Sequence, residues 1–375
     1  MKDLKRVRRQ IDALDDSILR LLNSRAQLSK RVGQLKTDGN ESIFSPDRER
    51  ALLNRLLKLN KGPLTQDALE AIYREILSYS KSTMRRLRIA YLGPEFTFTH
   101  EAARKKFGTS VDYVPSTTIA DVFKEVESEQ CDYGVVPVEN SIEGAVTYTL
   151  DMFIQSELQM YDEIYLRIRH HLLSRSDSIK TVKNVYSNPQ AIAQCGLWLR
   201  TNLPGARPMW VSSTAEAAKL MGHRAGNGAQ TAAEFAGKIS KNPKEDACIA
   251  GLLAADGYKL NVLAKSIEDN PNNTTRFIVI ARNQAKPSKN DRTSIVFELH
   301  DRIGALYDAL LPFRKAKINL TKIESRPSKK RVWSYFFFID FEGHAQERSV
   351  QKALRALRQK CVLLKVLGSY PKAER

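Results

Sequence analysis

The chain has 375 residues and a mass of 42.5 kDa, a length that predicts two to four domains. Hydrophobic residues make up 42% and charged residues 27%, a composition that excludes a disordered or fibrous protein. The formal net charge of +18 favours anionic partners, which include nucleic acid, a membrane surface and small acidic substrates.

Membrane and metal signals are weak along the whole sequence. The longest apolar runs, such as 335–339, are far shorter than the roughly 20 residues of a membrane helix, and residues 1–22 interleave charges instead of forming a signal core. The four cysteines form no CxxC pair, and the six histidines have no metal-ligand spacing. We therefore expect a cytoplasmic protein with reduced thiols, no metal, no cofactor and no membrane partner.

The first segment, residues 1–86, is predicted to be all-helical. Apolar residues at alternating steps of three and four predict one helix over about 3–36, roughly 50 Å long. Such a helix cannot bury its stripe within a small domain, so we expect a homodimer. Arg25 interrupts the stripe and shares its direction with Lys36, whereas Arg8 could reach the same pocket only from the partner chain. An arginine that merely fixes helix register is the alternative.

Two further helices add polar groups to this segment. One is predicted to begin at Ser45 and carries Arg48 and Glu49 in its first turn, and the next presents Ser80 in an apolar face. Several cations with a glutamate and no nucleophile suit a dianionic substrate whose reaction needs electrostatic positioning.

The motifs LKRVRRQIDALDDSILRLL, PDRERALL and YREILSYS resemble the helical chorismate mutase domain that begins bifunctional chorismate mutase–prephenate dehydratases. The resemblance implies an intertwined dimer that converts chorismate to prephenate. The positions that it assigns to the mutase site are Arg8, Arg25, Lys36, Ser45, Arg48, Glu49, Ser80 and Met84.

The resemblance also implies a role for each of these groups. The three arginines would bind substrate carboxylates, Lys36 would face the ether oxygen, and Glu49 and Ser80 would meet the hydroxyl end. This chain departs from the family at Met84, where the family has Gln or Glu, and Ser45 stands where some members have Asp. A thioether donates no hydrogen bond, so we expect weak mutase activity.

The second segment, residues 87–282, alternates short buried-strand runs with helical spacing, as expected for α/β units. Its motifs YLGPEFTFTHEAA, VVPVENSIEGAV, VYSNPQAIAQC, IAGLLAADGYKL and NNTTRFIVIA resemble prephenate dehydratases over the whole segment. The resemblance implies two α/β lobes of periplasmic-binding-protein-like architecture with the substrate between them. The polar stretch 222–246 reads as a surface insertion.

Loss of carbon dioxide and hydroxyl from prephenate needs a positioned proton donor and carboxylate anchors, with no metal or nucleophile. The resemblance implies that Thr275 assists hydroxyl departure, that Arg276 secures an anionic group or its loop, and that Phe277 shapes the pocket. Further hydrogen bonds are expected at strand ends and a helix start. The residues expected to supply them are Glu139, Asn140, Ser141, Ser187 and Gln194.

Two positions depart from the dehydratase pattern. Phe96 stands where the family usually has Gly, and Asn188 where it has His. Glycine serves positive φ or close backbone approach, and Asn cannot carry a proton near neutral pH, so we expect an altered pocket and a missing titration. A catalytically impaired amino-acid sensor is therefore one alternative.

Residues 283–292 read as a linker, and residues 293–370 predict the strand and helix order βαββαβ of an α+β ferredoxin-like domain. DRIGALYDALLPF and INLTKIESRPS resemble an ACT domain, which implies that L-phenylalanine binds there and inhibits the dehydratase. A plain dimerisation domain is the alternative. The expected effector-binding residues are Gly304, Ala305, Leu306, Glu324, Ser325, Arg326 and Pro327.

The sequence thus predicts a multidomain enzyme of phenylalanine biosynthesis, a homodimer or a dimer of dimers. Its substrates would be chorismate and prephenate, with arogenate as an alternative to prephenate. A basic nucleic-acid-binding protein is a distant alternative, because the cations of the first helix lie in or beside an apolar seam and no nucleic-acid motif appears.

Overall fold

A computed structural model describes residues 2–39, 42–222, 242–328 and 334–373. Most of the expected surface insertion at 222–246 therefore lies outside the described residues. Within them, the chain forms an all-helical region, a two-lobed α/β region and an α+β region, as the sequence predicts.

The helical region contains three helices, whose ends lie close to the predicted ones. They are α1 (Lys2–Asp38), α2 (Pro46–Leu59) and α3 (Gln66–Ser82). Thr65 caps α3 by accepting a hydrogen bond from the Ala68 N–H at 3.2 Å. Ser45 occupies the cap position of α2, but its hydroxyl donates to Asp47 Oδ1 at 2.7 Å and does not cap the backbone.

Helix α1 leaves its apolar stripe uncovered in the single chain, and Leu21 is 70% exposed. The other exposed members of this stripe, called the α1 seam below, are Leu4, Val7, Ile11, Leu14, Ile18, Leu28, Val32 and Leu35. A contiguous apolar surface of this kind marks an interaction site.

The first α/β lobe is a mixed sheet in the order β2-β1-β3-β11-β5, with β4 paired to β3. Strands β1, β2 and β3 are parallel, and β11 runs antiparallel between β3 and β5. The elements of this lobe are β1 (Arg88–Leu92), α4 (Phe98–Phe107), β2 (Asp112–Ser116), α5 (Ile119–Glu127), β3 (Tyr133–Asn140), β4 (Gly144–Ala145), α6 (Thr147–Gln155), β5 (Gln159–Arg167) and β11 (Thr274–Ala281).

The second lobe is a sheet in the order β10-β6-β9-β7-β8. The chain enters it after β5 and returns to the first lobe at β11, so two crossings connect the lobes. Its elements are β6 (His171–Ser174), β7 (Asn184–Ser187), α7 (Pro189–Gln194), α8 (Gly196–Asn202), β8 (Arg207–Trp210), α9 (Thr214–Gly222), β9 (Asp246–Ala250), α10 (Leu252–Tyr258) and β10 (Asn261–Ala264).

The C-terminal region has the predicted βαββαβ order and one antiparallel sheet, β13-β14-β12-β15. Its first strand begins at Asp291. In the segment before this strand, Ala285 is buried in the cluster that contains Phe44 and Phe277. The elements are β12 (Asp291–Leu299), α11 (Ala305–Lys315), β13 (Leu320–Pro327), β14 (Tyr335–Glu342), α12 (Arg348–Arg358) and β15 (Cys361–Pro371).

Strand β11 is buried on both faces, and each face meets a different neighbour. Ile278 and Ile280 pack in one cluster with Phe338 and other residues of the C-terminal sheet. Phe277 packs on the opposite face in a cluster that contains Phe44 of the helical region. Because side chains alternate along a strand, residues 276 and 275 face these two sides respectively.

The described residues contain no helix long and apolar enough to span a bilayer. The four cysteines are free, and burial raises the pKa of the Cys131 thiol to about 11. A thiol with a raised pKa is a poor nucleophile at neutral pH.

Candidate active sites

The ends of β3 and β11 bring Asn140 opposite Thr275 in register. The Asn140 side-chain amide donates to Thr275 Oγ1 at 2.8 Å and to Asn273 Oδ1 at 2.7 Å. The Thr275 oxygen therefore accepts a hydrogen bond, and within the described part of the chain its own hydrogen has no acceptor. A hydroxyl held in this way can donate to a third group.

A chain of side-chain amides extends this contact across to the second lobe. Asn273 Nδ2 donates to Gln194 Oε1 at 3.0 Å, and the same oxygen lies 2.9 Å from His170 Nε2. Gln194 Nε2 donates to Glu143 Oε1 at 2.8 Å. The network joins Thr275 and Asn140 to the expected Gln194, and it places them between the two lobes.

Sequence reasoning missed three members of this network, Asn273, His170 and Glu143. Asn273 lies inside the NNTTRF motif, so the motif itself carried the signal. His170 is buried, and burial lowers its pKa, although the hydrogen bond to Gln194 works in the opposite direction. Its Nε2 donates to the Gln194 carbonyl oxygen at 2.9 Å.

The two expected serines are bonded to the backbone. Ser141 Oγ donates to the Asn272 carbonyl at 3.2 Å and accepts from the Thr274 N–H at 3.0 Å, which ties the ends of β3 and β11 together. Ser187 is fully buried and donates to the Ile249 carbonyl at 2.9 Å. The expected hydrogen bond from Ser187 to substrate does not fit this burial.

Glu139 and Arg276, which the sequence predicts as a hydrogen-bonding group at a strand end and as an anchor for an anionic group or for its loop, do not join the Thr275 cluster. Arg276 is 5% exposed, and its guanidinium bonds Glu163 Oε2 at 2.8 Å and Asp340 Oδ2 at 2.6 Å. Glu139 Oε2 lies 3.2 Å from Lys322 Nζ. Strand alternation places Arg276 on the face of the sheet that meets the C-terminal region, and a β-bulge at Val138 places Glu139 directly opposite Arg276 on the same face.

Arg276, Glu163 and Asp340 form a buried ion-pair cluster. Burial works to raise the pKa of Asp340, but the adjacent Arg276 guanidinium holds that pKa below its usual range. Phe277, next along β11, is buried on the opposite face, in the cluster that contains Phe44.

Phe96 adopts the conformation expected of a glycine, with φ of +64°. Its N–H donates to His100 Nδ1 at 3.1 Å, and its ring packs edge-on against Tyr258 with centroids 5.0 Å apart. A Cβ on Gly257 would lie 2.5 Å from this ring, so the ring contacts the second lobe closely. Asn188 caps α7, with Oδ1 accepting from the Ala191 N–H at 3.0 Å.

The His100 contact predicts a pH-dependent stability. Burial, together with the nearby charge of Arg104, lowers the pKa of His100 to about 4. Below pH 6.5 the unfolded chain binds a proton that folded His100 refuses, so stability is full above pH 6.5 and falls by about 2 kcal/mol at pH 5. We expect thermal unfolding measured from pH 7 to 5 to show this loss, and His100→Asn to reduce its slope. An unchanged slope in that variant would contradict the assignment.

In the helical region, two expected mutase residues meet directly. The Arg25 guanidinium donates to the Ser80 hydroxyl, which itself donates to the Ile76 carbonyl at 2.7 Å. Lys36 Nζ donates to the Ser42 carbonyl at 2.7 Å and to the Ile43 carbonyl at 3.3 Å. Both cations are half-buried.

The remaining expected mutase residues are not gathered around Arg25 in the single chain. Glu49 pairs with Lys81, a buried residue that sequence reasoning missed, at 2.7 Å. Arg48 and Arg8 are exposed, and Arg8 lies seventeen positions from Arg25 along α1. Within one chain, the straight helix α1 therefore keeps Arg8 about 25 Å from Arg25.

Met84 follows the end of α3 and packs on α1. A Cβ on Gly33 would lie 2.5 Å from Met84 Cγ, so the methionine covers α1 one turn before Lys36. The neighbouring hydroxyls of Ser82 and Thr83 donate to the Tyr79 and Ser80 carbonyls.

The expected effector-binding residues lie at two places in the C-terminal region. Gly304 has φ of +76° directly before α11, which begins with Ala305 and Leu306, and a Cβ on Gly304 would meet open space. The residues of the second place belong to the edge strand β13, where Arg326 pairs with Asp151 of α6 at 3.2 Å. They are Glu324, Ser325, Arg326 and Pro327.

Three family models match the chain in succession. They describe chorismate mutase type II over residues 7–85, prephenate dehydratase over 89–285 and the ACT domain over 293–359. The matches place the chain among enzymes and not among the basic nucleic-acid-binding proteins that its charge left open.

Relatives cover the whole chain. A bifunctional chorismate mutase/prephenate dehydratase of Aquifex aeolicus is 50% identical over 100% of this chain and 99% of its own length. One of Pseudomonas aeruginosa is 41% identical over 99% and 98%. Among solved structures, the prephenate dehydratase of Arthrobacter aurescens in complex with L-Phe is 34% identical, with a TM-score of 0.66 over 76% of this chain and 90% of that one.

Domain order, full-length identity and the two sets of polar residues lead to one conclusion. The chain belongs to the bifunctional chorismate mutase/prephenate dehydratases, enzymes of phenylalanine biosynthesis that carry both reactions and an ACT domain on one polypeptide.

Proposed function

We propose that prephenate is dehydrated between the two lobes, with Thr275 as the group that assists departure of the ring hydroxyl. The observation that carries this proposal is the Asn140 hydrogen bond to Thr275 Oγ1 at 2.8 Å. It fixes the oxygen as an acceptor and leaves the hydroxyl hydrogen to donate to the leaving oxygen. As the bond to the carboxylate carbon breaks and carbon dioxide leaves, its electron pair aromatises the ring and the ring carbon–oxygen bond breaks with its pair on oxygen. The departing oxygen takes a proton from the Thr275 hydroxyl and leaves as water, and solvent returns a proton to the Thr275 oxygen.

Asn273, Asn140 and Gln194 hold the two lobes in register around this point. We assign Arg276 and Glu139 to the contact with the ACT domain and leave them out of the substrate site. Pre-ordered amides that need no rearrangement during the reaction suit a step that depends on positioning.

The direct test measures phenylpyruvate formed from prephenate and phenylalanine formed from arogenate, each with and without added L-phenylalanine. We expect prephenate to be the preferred substrate and its turnover to fall when phenylalanine is added. Faster turnover of arogenate would reassign the substrate, and inactivity toward both would favour the impaired sensor that Phe96 and Asn188 suggested.

For the mutase, the proposal is a site in which Arg25 and Arg48 bind substrate carboxylates with Arg8 of the partner subunit. Lys36 faces the ether oxygen, and Glu49 and Ser80 meet the hydroxyl end. What supports the shared site is the exposed α1 seam together with the distance between Arg8 and Arg25 along one helix. The expected assembly is a homodimer or a dimer of dimers, and its cytoplasmic location stays a prediction.

Charging the α1 seam is expected to break this assembly. Leu21 is exposed in the single chain, so Leu21→Lys costs the isolated fold little, whereas a dimer that buries it would be destabilised. We expect light scattering to show half the native mass, with loss of mutase activity and retention of dehydratase activity. Leu59→Lys, equally exposed at the end of α2, is the matched control. Native mass and full mutase activity in Leu21→Lys would contradict the shared site.

Feedback inhibition is proposed to start with L-phenylalanine at the Gly304 turn and the β13 wall. The ion pairs from β13 and β14 to the dehydratase support it, and so does the relative whose structure contains L-Phe. Two of these ion pairs are formed by Arg276 and Glu139, which directly neighbour Thr275 and Asn140 in sequence. A shift of the ACT sheet therefore acts one residue away from the reacting group.

We expect Lys322→Met to raise the phenylalanine concentration needed for half-inhibition by about fivefold or more, with turnover in its absence retained. The variant removes the link to Glu139 at small cost, because Glu139 is partly exposed. Deletion of residues 286–375 is a poorer test, because it would expose Ile278 and Ile280 to solvent. Lys365→Met, which removes another ACT contact with Glu157, is the matched control. Equal effects of the two variants would contradict a specific route.

A further inference from the structure

The loop between α1 and α2 enters the core of the dehydratase domain. Phe44 is 0% exposed, and its ring centroid lies 5.0 Å from that of Phe107, 5.4 Å from Tyr133 and 5.8 Å from Tyr161. The Tyr161 hydroxyl donates to the Phe44 carbonyl at 2.8 Å. A mutase loop is therefore fixed by dehydratase side chains.

The same loop holds Lys36. The carbonyls of Ser42 and Ile43, directly before Phe44, accept from Lys36 Nζ at 2.7 and 3.3 Å. Asn283, at the far end of the dehydratase domain, donates to Ser42 Oγ at 3.0 Å. A lysine has a long flexible side chain, so its position depends on such contacts.

Phe44 also supports the glutamate of the mutase site. Lys81 Nζ lies 5.2 Å from the centre of the Phe44 ring, within cation–π range, and pairs with Glu49 at 2.7 Å. The buried Phe44 ring thus supports two groups of the proposed mutase site. It fixes the loop whose carbonyls bind Lys36, and it contacts Lys81, which pairs with Glu49.

We propose that the dehydratase domain completes the mutase active site, with Phe44 and Tyr161 as positioning residues that orient Lys36. This inference rests on the proposed role of Lys36 at the ether oxygen. Charge grows on that oxygen only in the transition state, so a displaced Lys36 lowers kcat more than it raises KM. The carboxylates are bound elsewhere, by the arginines.

The test uses the full chain and measures kcat and KM for both reactions. Tyr161→Phe removes the hydroxyl bonded to Phe44 and keeps the ring. We expect mutase kcat to fall by about three- to tenfold, with KM for chorismate and dehydratase kcat/KM within twofold. Phe44→Ala is expected to lower mutase kcat by more than Tyr161→Phe, and Phe44→Leu to restore most of the loss. Tyr113→Phe, which removes a buried hydroxyl bonded to Gly108, is the matched control.

The variant Lys36→Ala distinguishes an error in the proposed mutase site from an error in the positioning inference. Normal mutase activity in Lys36→Ala would remove Lys36 from the reaction and overturn the proposed site. If Lys36→Ala is inactive but Tyr161→Phe and Phe44→Ala keep full mutase activity, the positioning inference alone is overturned. A parallel fall of both activities in Tyr161→Phe would also overturn it, because a general loss of fold would then explain the effect.

Discussion

Replacement of Thr275 by alanine is expected to lower prephenate turnover by about 10²-fold or more and to leave chorismate turnover unchanged. The hydroxyl that Asn140 orients would be lost, so no donor would meet the departing oxygen. The effect should fall on kcat, because the interaction strengthens as the carbon–oxygen bond breaks. The measurement is the steady-state formation of phenylpyruvate.

Two variants serve as controls for this experiment. Thr274→Ala removes the neighbouring hydroxyl, which strand alternation places on the other face of β11, and should retain activity. Thr275→Ser restores a hydroxyl at the same position and should recover part of the rate. Near-normal phenylpyruvate formation by Thr275→Ala would remove Thr275 from catalysis.

The sequence predicted which strands carry this site better than it predicted which face of the sheet each side chain lies on. Strand β3 (Tyr133–Asn140) lies in the segment that the sequence predicts to be α/β, and Asn140 and Thr275 meet at its end. Both strands read as continuous apolar runs because both faces of the sheet are buried, so no alternation showed which side each residue faces. The sequence therefore did not show that Glu139 and Arg276 face the ACT domain.

Long-range packing explains what sequence reasoning could not find in the mutase. Phe44 lies with Ile43 in a short segment between two helices, which has no periodicity, and the cluster that buries Phe44 consists largely of dehydratase residues. Lys81 is one residue from Ser80 on α3, but its partner Glu49 is 32 residues away. The sequence did predict the α1 seam, in contrast, because helical periodicity is a local property of the sequence.

The second large effect concerns Met84. In the Claisen rearrangement of chorismate, the breaking carbon–oxygen bond places negative charge on the ether oxygen. Lys36 supplies one hydrogen bond there, and the Gln or a protonated Glu of the resembled pattern would supply another, whereas a thioether supplies none. One missing donor of this kind costs about 3–4 kcal/mol, or roughly 10²–10³ in rate.

No neighbouring group replaces that donor within the described part of the chain. The Ser82 and Thr83 hydroxyls donate to backbone carbonyls at 2.8 Å each, and the Met84 side chain lies over Gly33. Glutamine is about as long as methionine and branches only at its terminal amide, so its volume is similar. Met84→Gln should therefore add a donor near Lys36 without displacing α1.

We expect Met84→Gln to raise kcat for chorismate by about 10²-fold at neutral pH, with a smaller change in KM. Substrate binding depends on the carboxylates, which the arginines hold in both enzymes, so the added donor acts mainly in the transition state. Met84→Leu keeps an apolar side chain of similar volume and should show no gain. A fast parent enzyme that glutamine does not improve would contradict the prediction and would show that Lys36 or an ordered water suffices at the ether oxygen.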